Sequence, residues 1–314
     1  MCSLFVLLCK EARSVREISA VGFGVYGQTD FGNCGVLVIK SRVFSCMHPA
    51  FQAIEHRPWP LPKSKWIWRQ SWLDLAFVHY RIDAKQIKHR LPDGLKLQEF
   101  DGTAWVGLVP FRMAGVMRRP FPDLPPFTTF PELNLRTYVE KDGKPGVWFF
   151  SLDADCRPLV WGGRMLYHLP YFYARMSHCW ADGWHQFQSR RPNDTARFKA
   201  RYRPTGESLR VTIGSFEHWA TERYCLYSHS AGHGLSRVDV HHVPWPLQRG
   251  EIEIEANEIL TAAGLTPLPE SPRCHYSSGV HVVSYRPEMM TEPFGAVAVD
   301  GTLEVAHSRT AHSS

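Results

Sequence analysis

Glu132, Asn134 and Arg136 stand two residues apart in FPELNLRTYV, and alternate residues of a strand share one face. If this stretch is extended, an acid, an amide and a guanidinium project together. Turned into a pocket, they could orient a carboxylate or an enolisable carbonyl and move its proton. Turned to solvent, they are the salt-bridged side of an ordinary strand. Spacing leaves both readings open.

A second stretch, YHLPYFYARM at 167–176, gathers three tyrosines, a phenylalanine and a histidine about one proline, with no carboxylate and no lysine. Tyr167 and Tyr171 could donate hydrogen bonds to a ligand oxygen, and His168 could move a proton near neutral pH. The same residues also suit a plain core with satisfied polar tips. Arg164 is the lone charge in the interior of the helical-looking RPLVWGGRML. It calls for an anionic partner, and Asp153 and Glu132 are the candidates.

Other clusters carry less. His241 and His242 are adjacent, so in a strand they point to opposite faces and cannot readily share one ion. His178, Cys179 and His185 fall around a turn where zinc could fit, but neither HExxH nor a CxxC pair accompanies them. No metal and no cofactor is expected. Glu217, His218, Glu222 and Arg223 suit surface pairing on a helix, or Glu222 and Arg223 line a pocket mouth. Ser215 lacks GxSxG and reads as a helix cap. Gly22, Gly24 and Gly27 match GxGxxG, but the following QTDFGNCG is loop-like rather than a helix start, so the match is set aside as chance.

These groups need a scaffold, and the chain can build one. Its 314 residues are 44% hydrophobic and 13% aromatic, enough for a sizeable core. The net charge of +6 is dispersed without long like-charged runs, which argues against a nucleic-acid partner. Eight scattered cysteines without CxxC fit free thiols in a reducing cytosol. The opening MCSLFVLLCKEAR has a short apolar run with no basic residue before it, unlike a secretory signal. No stretch approaches the roughly 18 apolar residues of a membrane span. The expected location is cytoplasmic.

Three Asp-Gly pairs, at 101–102, 142–143 and 182–183, separate strand-like runs, and Asp-Gly accepts the positive φ of tight hairpin turns. LKLQEF is predicted to pair with TAWVGLVPF, LNLRTYVE with PGVWFFSL, and YARMSHCW with WHQFQSR. WRQSWLDLAFVHY reads as strand, HVVSYRP as the last strand, and DAKQIKHRLPDGL as a short helix capped by Asp83. RPLVWGGRML and SFEHWATERY look helical, and RGEIEIEANEILTAAGL is predicted as a longer amphipathic helix ending near Gly264. The fold class is therefore α+β, a curved antiparallel sheet closed as a β-barrel with a few flanking helices.

At this point the residues carry a resemblance. DGTAWVGLVPFRM, FPELNLRTYV, GVWFFSLDA, YHLPYF, FKARYRPTG, TERYCLY and HHVPWPLQ resemble a YqjF-like family of uncharacterised bacterial proteins, from about Arg57 to Pro287. That family opens near EHRPWPLP, which favours Met47 as the natural start. Residues 1–46 then read as a non-native extension or disordered segment, 47–65 as a lead-in, 66–287 as a single barrel domain and 288–314 as a disordered tail. The family is remotely similar to acetoacetate decarboxylase, which implies an acetoacetate-decarboxylase-like barrel with an internal pocket.

The decarboxylase acts through a Schiff-base lysine activated by a second lysine. Its lysine pair follows a proline in a segment opening Gly-Arg, with a glutamate earlier. Here Gly163-Arg164 and Pro170 fit that frame, Tyr171 and Phe172 stand in place of the lysines, and Glu132 precedes them at about the glutamate's spacing. No phenol or phenyl ring forms an imine. The resemblance thus implies a retained pocket without its nucleophile. Glu132 and Tyr171 are the candidate catalytic residues, and Asn134, Arg136, Arg164, Tyr167 and His168 the candidate ligand-binding ones. Two functions survive: an acid–base enzyme acting on a small carbonyl or carboxylate compound, or a non-catalytic small-ligand binder. The expected partner is a small-molecule ligand or substrate, with no nucleic acid and no membrane; homo-oligomer formation stays open.

Overall fold

Each Asp-Gly pair takes positive φ at both residues: 51° and 68° at 101–102, 53° and 70° at 142–143, 53° and 77° at 182–183. The second joins β4 (Phe130–Lys141) to β5 (Lys144–Ala154), and the third joins β7 (Arg175–Ala181) to β8 (Trp184–Arg190), as tight antiparallel hairpins. The first closes only the Phe100–Thr103 bridge. The segment before it forms β2 (Lys96–Leu97), which pairs with β4 at Glu140 and Val139. It does not pair with β3 (Ala104–Arg118) as predicted, because β3 already has β4 on one edge and β1 (Trp68–Ile82) on the other.

The computed structural model describes residues 48–121, 128–230, 232 and 234–290. Residues 1–46, with the GFGVYG stretch and the expected start at Met47, lie outside these residues, as do the middle of the proline-rich loop and residues 291–314. No described helix is long and apolar enough to cross a membrane.

The remaining strands are β6 (Tyr171–Tyr173), β9 (Arg197–Ser208), β10 (Cys225–Ser230), β11 (Gly234–His241), β12 (Leu247–Asn257), β13 (Arg273–Ser284) and β14 (Glu288–Met289). Four short helices interrupt them: α1 (Lys85–Lys88), α2 (Arg157–Tyr167), α3 (Phe216–Thr221) and α4 (Ile259–Ala262). The sheet is mostly antiparallel, but β5 runs parallel to both β6 and β10. The chain leaves the sheet after β5 and returns to it by long connections, which parallel pairing requires. Strands β11 and β13 pair at Val240–Ser284 and His241–Val283, so the path β13-β1-β3-β4-β5-β10-β11 returns to its start.

Two predicted elements differ. The expected long helix from Arg249 is mostly β12, with α4 as its only helical turn. The run EIEIE has period 2, which sends Ile252 and Ile254 inward and Glu251, Glu253 and Glu255 outward against Arg203, Arg201 and Lys199 of β9. The tail expected to be disordered from residue 288 begins with β14, which pairs with Ser236 and Arg237 of β11.

Two apolar layers form by strand alternation. Leu75 and Phe77 of β1, with Val109 and Phe111 of β3, pack in one cluster. Ala76, Val78, Leu133 and Leu135 point the other way, against Phe187 of β8 and Phe198 of β9. The first cluster contains the site.

Candidate functional site

A cavity of about 210 Å³ lies within the first apolar layer. It takes residues from β1, β3, β4, β5, β10, β11 and the inner side of α2. Glu132, Asn134 and Arg136 all line it, because alternation on β4 turns their side chains to this face. Tyr167 and Tyr171 line it too. Arg164 and His168 do not.

Glu132 is 1% exposed. Burial, opposed by hydrogen bonds from Asn134 and Tyr171 and reinforced by Asp153, pushes its carboxyl up to about 8. The Tyr171 hydroxyl donates to Oε2 at 3.5 Å, and burial beside Glu132 raises the phenol well above its usual range. Gly163 makes Tyr171's position possible. A Cβ on residue 163 would lie 2.4 Å from the tyrosine ring, far inside van der Waals contact.

The two arginines of the cavity are open. Arg136, 8% exposed, donates from Nη2 to the Ala220 carbonyl at 3.3 Å, while its Nε has no partner. Arg223 enters from the loop between α3 and β10. Its Nε donates to Trp219 O at 2.6 Å and its Nη1 to Gln98, and Nη2 is left unpartnered. Its guanidinium lies 5.0 Å from the Tyr138 ring centroid, and burial lowers its pKa to about 10. Asn134 Oδ1 and Trp72 Nε1, both at the cavity, are also buried without partners. None of the lining residues is a lysine.

Arg164, His168 and Tyr167 also make contacts that hold the fold. Arg164 pairs with neither Asp153 nor Glu132: its Nε donates to the Tyr171 carbonyl at 2.6 Å, holding α2 to β6. Asp153 is taken by Arg191, with contacts of 2.7 to 3.1 Å. His168 is exposed and ends α2 in the left-handed conformation, at φ 50°. Tyr167 accepts a hydrogen bond from Trp68 Nε1, which fastens α2 to β1.

His241 and His242 separate as alternation demands. His241 stacks on His56, whereas His242 lines the cavity and packs on Tyr224 and Trp245. The rings of His178 and His185 lie 5.4 Å apart between Tyr202 and Phe187, and Cys179 is exposed. Ser215 caps α3, accepting from His218 N at 3.2 Å.

Sequence reasoning missed Trp72, His242 and Trp245, which reach the cavity from remote segments. Alternation along WRQSWLDL could have flagged Trp72, two positions from Gln70, which also lines the cavity. No local pattern marks the other two.

The architecture has solved counterparts. Acetoacetate decarboxylase from Legionella pneumophila superposes with a TM-score of 0.54 at 13% identity, covering 76% of this chain and 93% of that one. The enduracididine biosynthesis enzyme MppR complexed with pyruvate gives 0.54 at 14% identity, over 76% and 93%. At such identities the likeness shows a shared fold alone. Protein YqjF of Bacillus subtilis (strain 168) is 43% identical over 219 residues, 69% of this chain and 90% of that protein. Residues 69–281 match DUF2071, described as an uncharacterized conserved protein (COG2071), and the chain belongs to that family.

Proposed function

We propose that this chain binds a small carboxylate or carbonyl compound inside a barrel closed by β11 and β13, and that Glu132 does acid–base work on it without a Schiff-base lysine. The observation that carries this reading is the state of the cavity charges. Among the described residues Glu132 has no cationic partner, and Arg136 and Arg223 have no carboxylate partner. A buried acid and base that serve only packing close on each other, because an unpaired buried charge is costly. Here a ligand carboxylate would complete Arg136 Nε and Arg223 Nη2.

A carboxyl raised to about 8 is mostly protonated at neutral pH. Glu132 then donates a proton to a carbonyl oxygen or carbanion, and its carboxylate takes one from a carbon next to a carbonyl. The Tyr171 hydroxyl steadies the carboxylate form by donating to Oε2. The free thiols of Cys179, Cys225 and Cys274 fit a reducing compartment, so the cytoplasm belongs to the proposal. The test is a thermal-shift screen of keto acids, 1,3-dicarbonyls and aromatic acids against the native chain, Glu132→Gln and Arg136→Gln. A ligand bound to the native state raises the midpoint by mass action. The expected result is a hit weakened in both variants and turned over only by the native chain. A hit bound equally by Glu132→Gln, with no turnover, would replace the enzyme by a binder.

A further inference from the structure

We propose a second ligand site, a groove that takes a phosphate-bearing small molecule, where β9, β12 and β13 meet the 209–214 loop and α3. The groove measures about 550 Å³ and shares no lining residue with the cavity around Glu132. Arg210, Arg249 and Arg273 line it. All three are exposed, and none makes an ion pair with a carboxylate among the described residues. On the neighbouring strand β9, by contrast, Arg197, Arg201 and Arg203 each meet a glutamate at 2.7 to 3.0 Å.

Geometry fixes part of the groove in advance. The Arg273 guanidinium rides over Phe216 at 4.4 Å and Trp105 at 5.0 Å, so its fork is held on an aromatic floor. Arg249 sits directly opposite His275 in the β12–β13 register. His275 is 8% exposed, and its Nδ1 has no partner. The one acid of the groove, Glu217, is already engaged by His275 Nε2 at 3.3 Å. Three guanidiniums against one engaged carboxylate leave an excess of paired N–H donors. That excess matches a phosphate, with about two negative charges and three acceptor oxygens, better than a single carboxylate.

Leu209 and Val211 give the groove an apolar side for the organic part of the ligand. A nucleic-acid backbone fits less well. Beyond the groove, the β9–β12 surface is a ladder of paired charges rather than a cationic track.

The experiment is isothermal titration of the full chain with pyrophosphate, and separately with ribose 5-phosphate, in roughly 150 mM NaCl to screen diffuse attraction. Arg210→Gln and Arg249→Gln are run beside Arg201→Gln, a control that removes one equal charge outside the groove. All three positions are exposed, so the variants fold. The expected result is saturable one-to-one binding, weakened about tenfold or more by Arg210→Gln or Arg249→Gln and unchanged by Arg201→Gln. Absence of binding at millimolar ligand would overturn the proposal, and so would equal weakening by the control. An oligonucleotide that binds more tightly with length would overturn it in favour of a nucleic-acid surface. Loss of ligand binding in Glu132→Gln bears on the cavity and leaves the groove untouched.

Discussion

Two buried carboxylates lie on neighbouring strands and are treated in opposite ways. Asp153 on β5 is paired in register with Leu133, and Glu132 on β4 with Ala154, so successive rungs send the acids to opposite faces. Asp153 is 0% exposed and closed: Arg191 contacts both its oxygens, and Phe172 lies 3.8 Å from that guanidinium. Asp239 is closed in the same way, by Arg57, Arg237 and the Trp59 indole. Glu132 takes only a phenol and an amide, although Arg136 stands on its own strand face. Closed charges tie segments distant in sequence to the sheet, Arg191 to β5 and Arg57 to β11. The cavity arginines are held by neutral groups alone, Arg136 by the Ala220 carbonyl and Arg223 by the Trp219 carbonyl and Gln98, and they face open space. In this chain, Asp153 and Asp239, closed by arginines, serve the scaffold, whereas Glu132, Arg136 and Arg223, which meet no opposite charge among the described residues, line the cavity.

The sharpest way to break that contrast is to open a closed charge. Asp153→Ala leaves the buried Arg191 with Asp194 as its one remaining carboxylate and is expected to cost up to about 3–5 kcal/mol of unfolding free energy. Chemical denaturation at pH 7 reads it, and a loss below about 1 kcal/mol would remove the distinction. Glu132→Gln should act with the opposite sign. A carboxyl raised from 4.5 to about 8 binds its proton more tightly in the folded state. Native stability therefore falls as pH rises from the unfolded value to the folded one, and above about 8 the penalty is complete. At 1.36 kcal/mol per unit that penalty is roughly 3–5 kcal/mol. The glutamine variant lacks it, so its stability between pH 5 and 9 should be flatter and higher at the alkaline end. A parallel fall in both proteins would show that Glu132 titrates normally.

The scaffold was legible where chemistry restricts the backbone. Asp142-Gly143 and Asp182-Gly183 announce their hairpins because few residue pairs accept two positive φ angles in succession. Glu132, Asn134 and Arg136 were legible as a set because alternation is local. What the sequence concealed depends on contacts between distant segments. LKLQEF reads as the partner of the following strand, but both edges of β3 were taken. EIEIE was read by its helix-forming residues rather than its period, and only the arginines of β9 reveal why its glutamates face outward. Arg164 looked like half of an ion pair, but a backbone carbonyl satisfies it. Arg223 was read either as a helix-surface residue or as part of a pocket mouth; it lines the cavity, where the loop after α3 folds over Tyr138 and brings it beside Arg136.

A smaller effect sharpens the contrast inside the cavity. Gly163→Ala places a methyl 2.4 Å from Tyr171, so α2 or the ring must move. The expected cost is about 1–3 kcal/mol, the range for overpacking. Ligand binding should weaken with it, since Tyr171 and Glu132 shift together. Unchanged binding would separate Tyr171 from the site.

The smallest effect belongs to charges that are closed but wet. Arg201 and Glu253 meet at 2.7 Å with their side chains about half exposed, 49% and 52%. Water already solvates both groups, so removing one strands nothing. Arg201→Gln should change stability by less than about 1 kcal/mol, and raising the salt concentration should erase even that. The comparison with Asp153→Ala is then direct. Both substitutions delete half of an ion pair, one buried and one about half exposed. A large effect at Arg201 would mean that the ladder, rather than the buried pairs, holds β9 against β12.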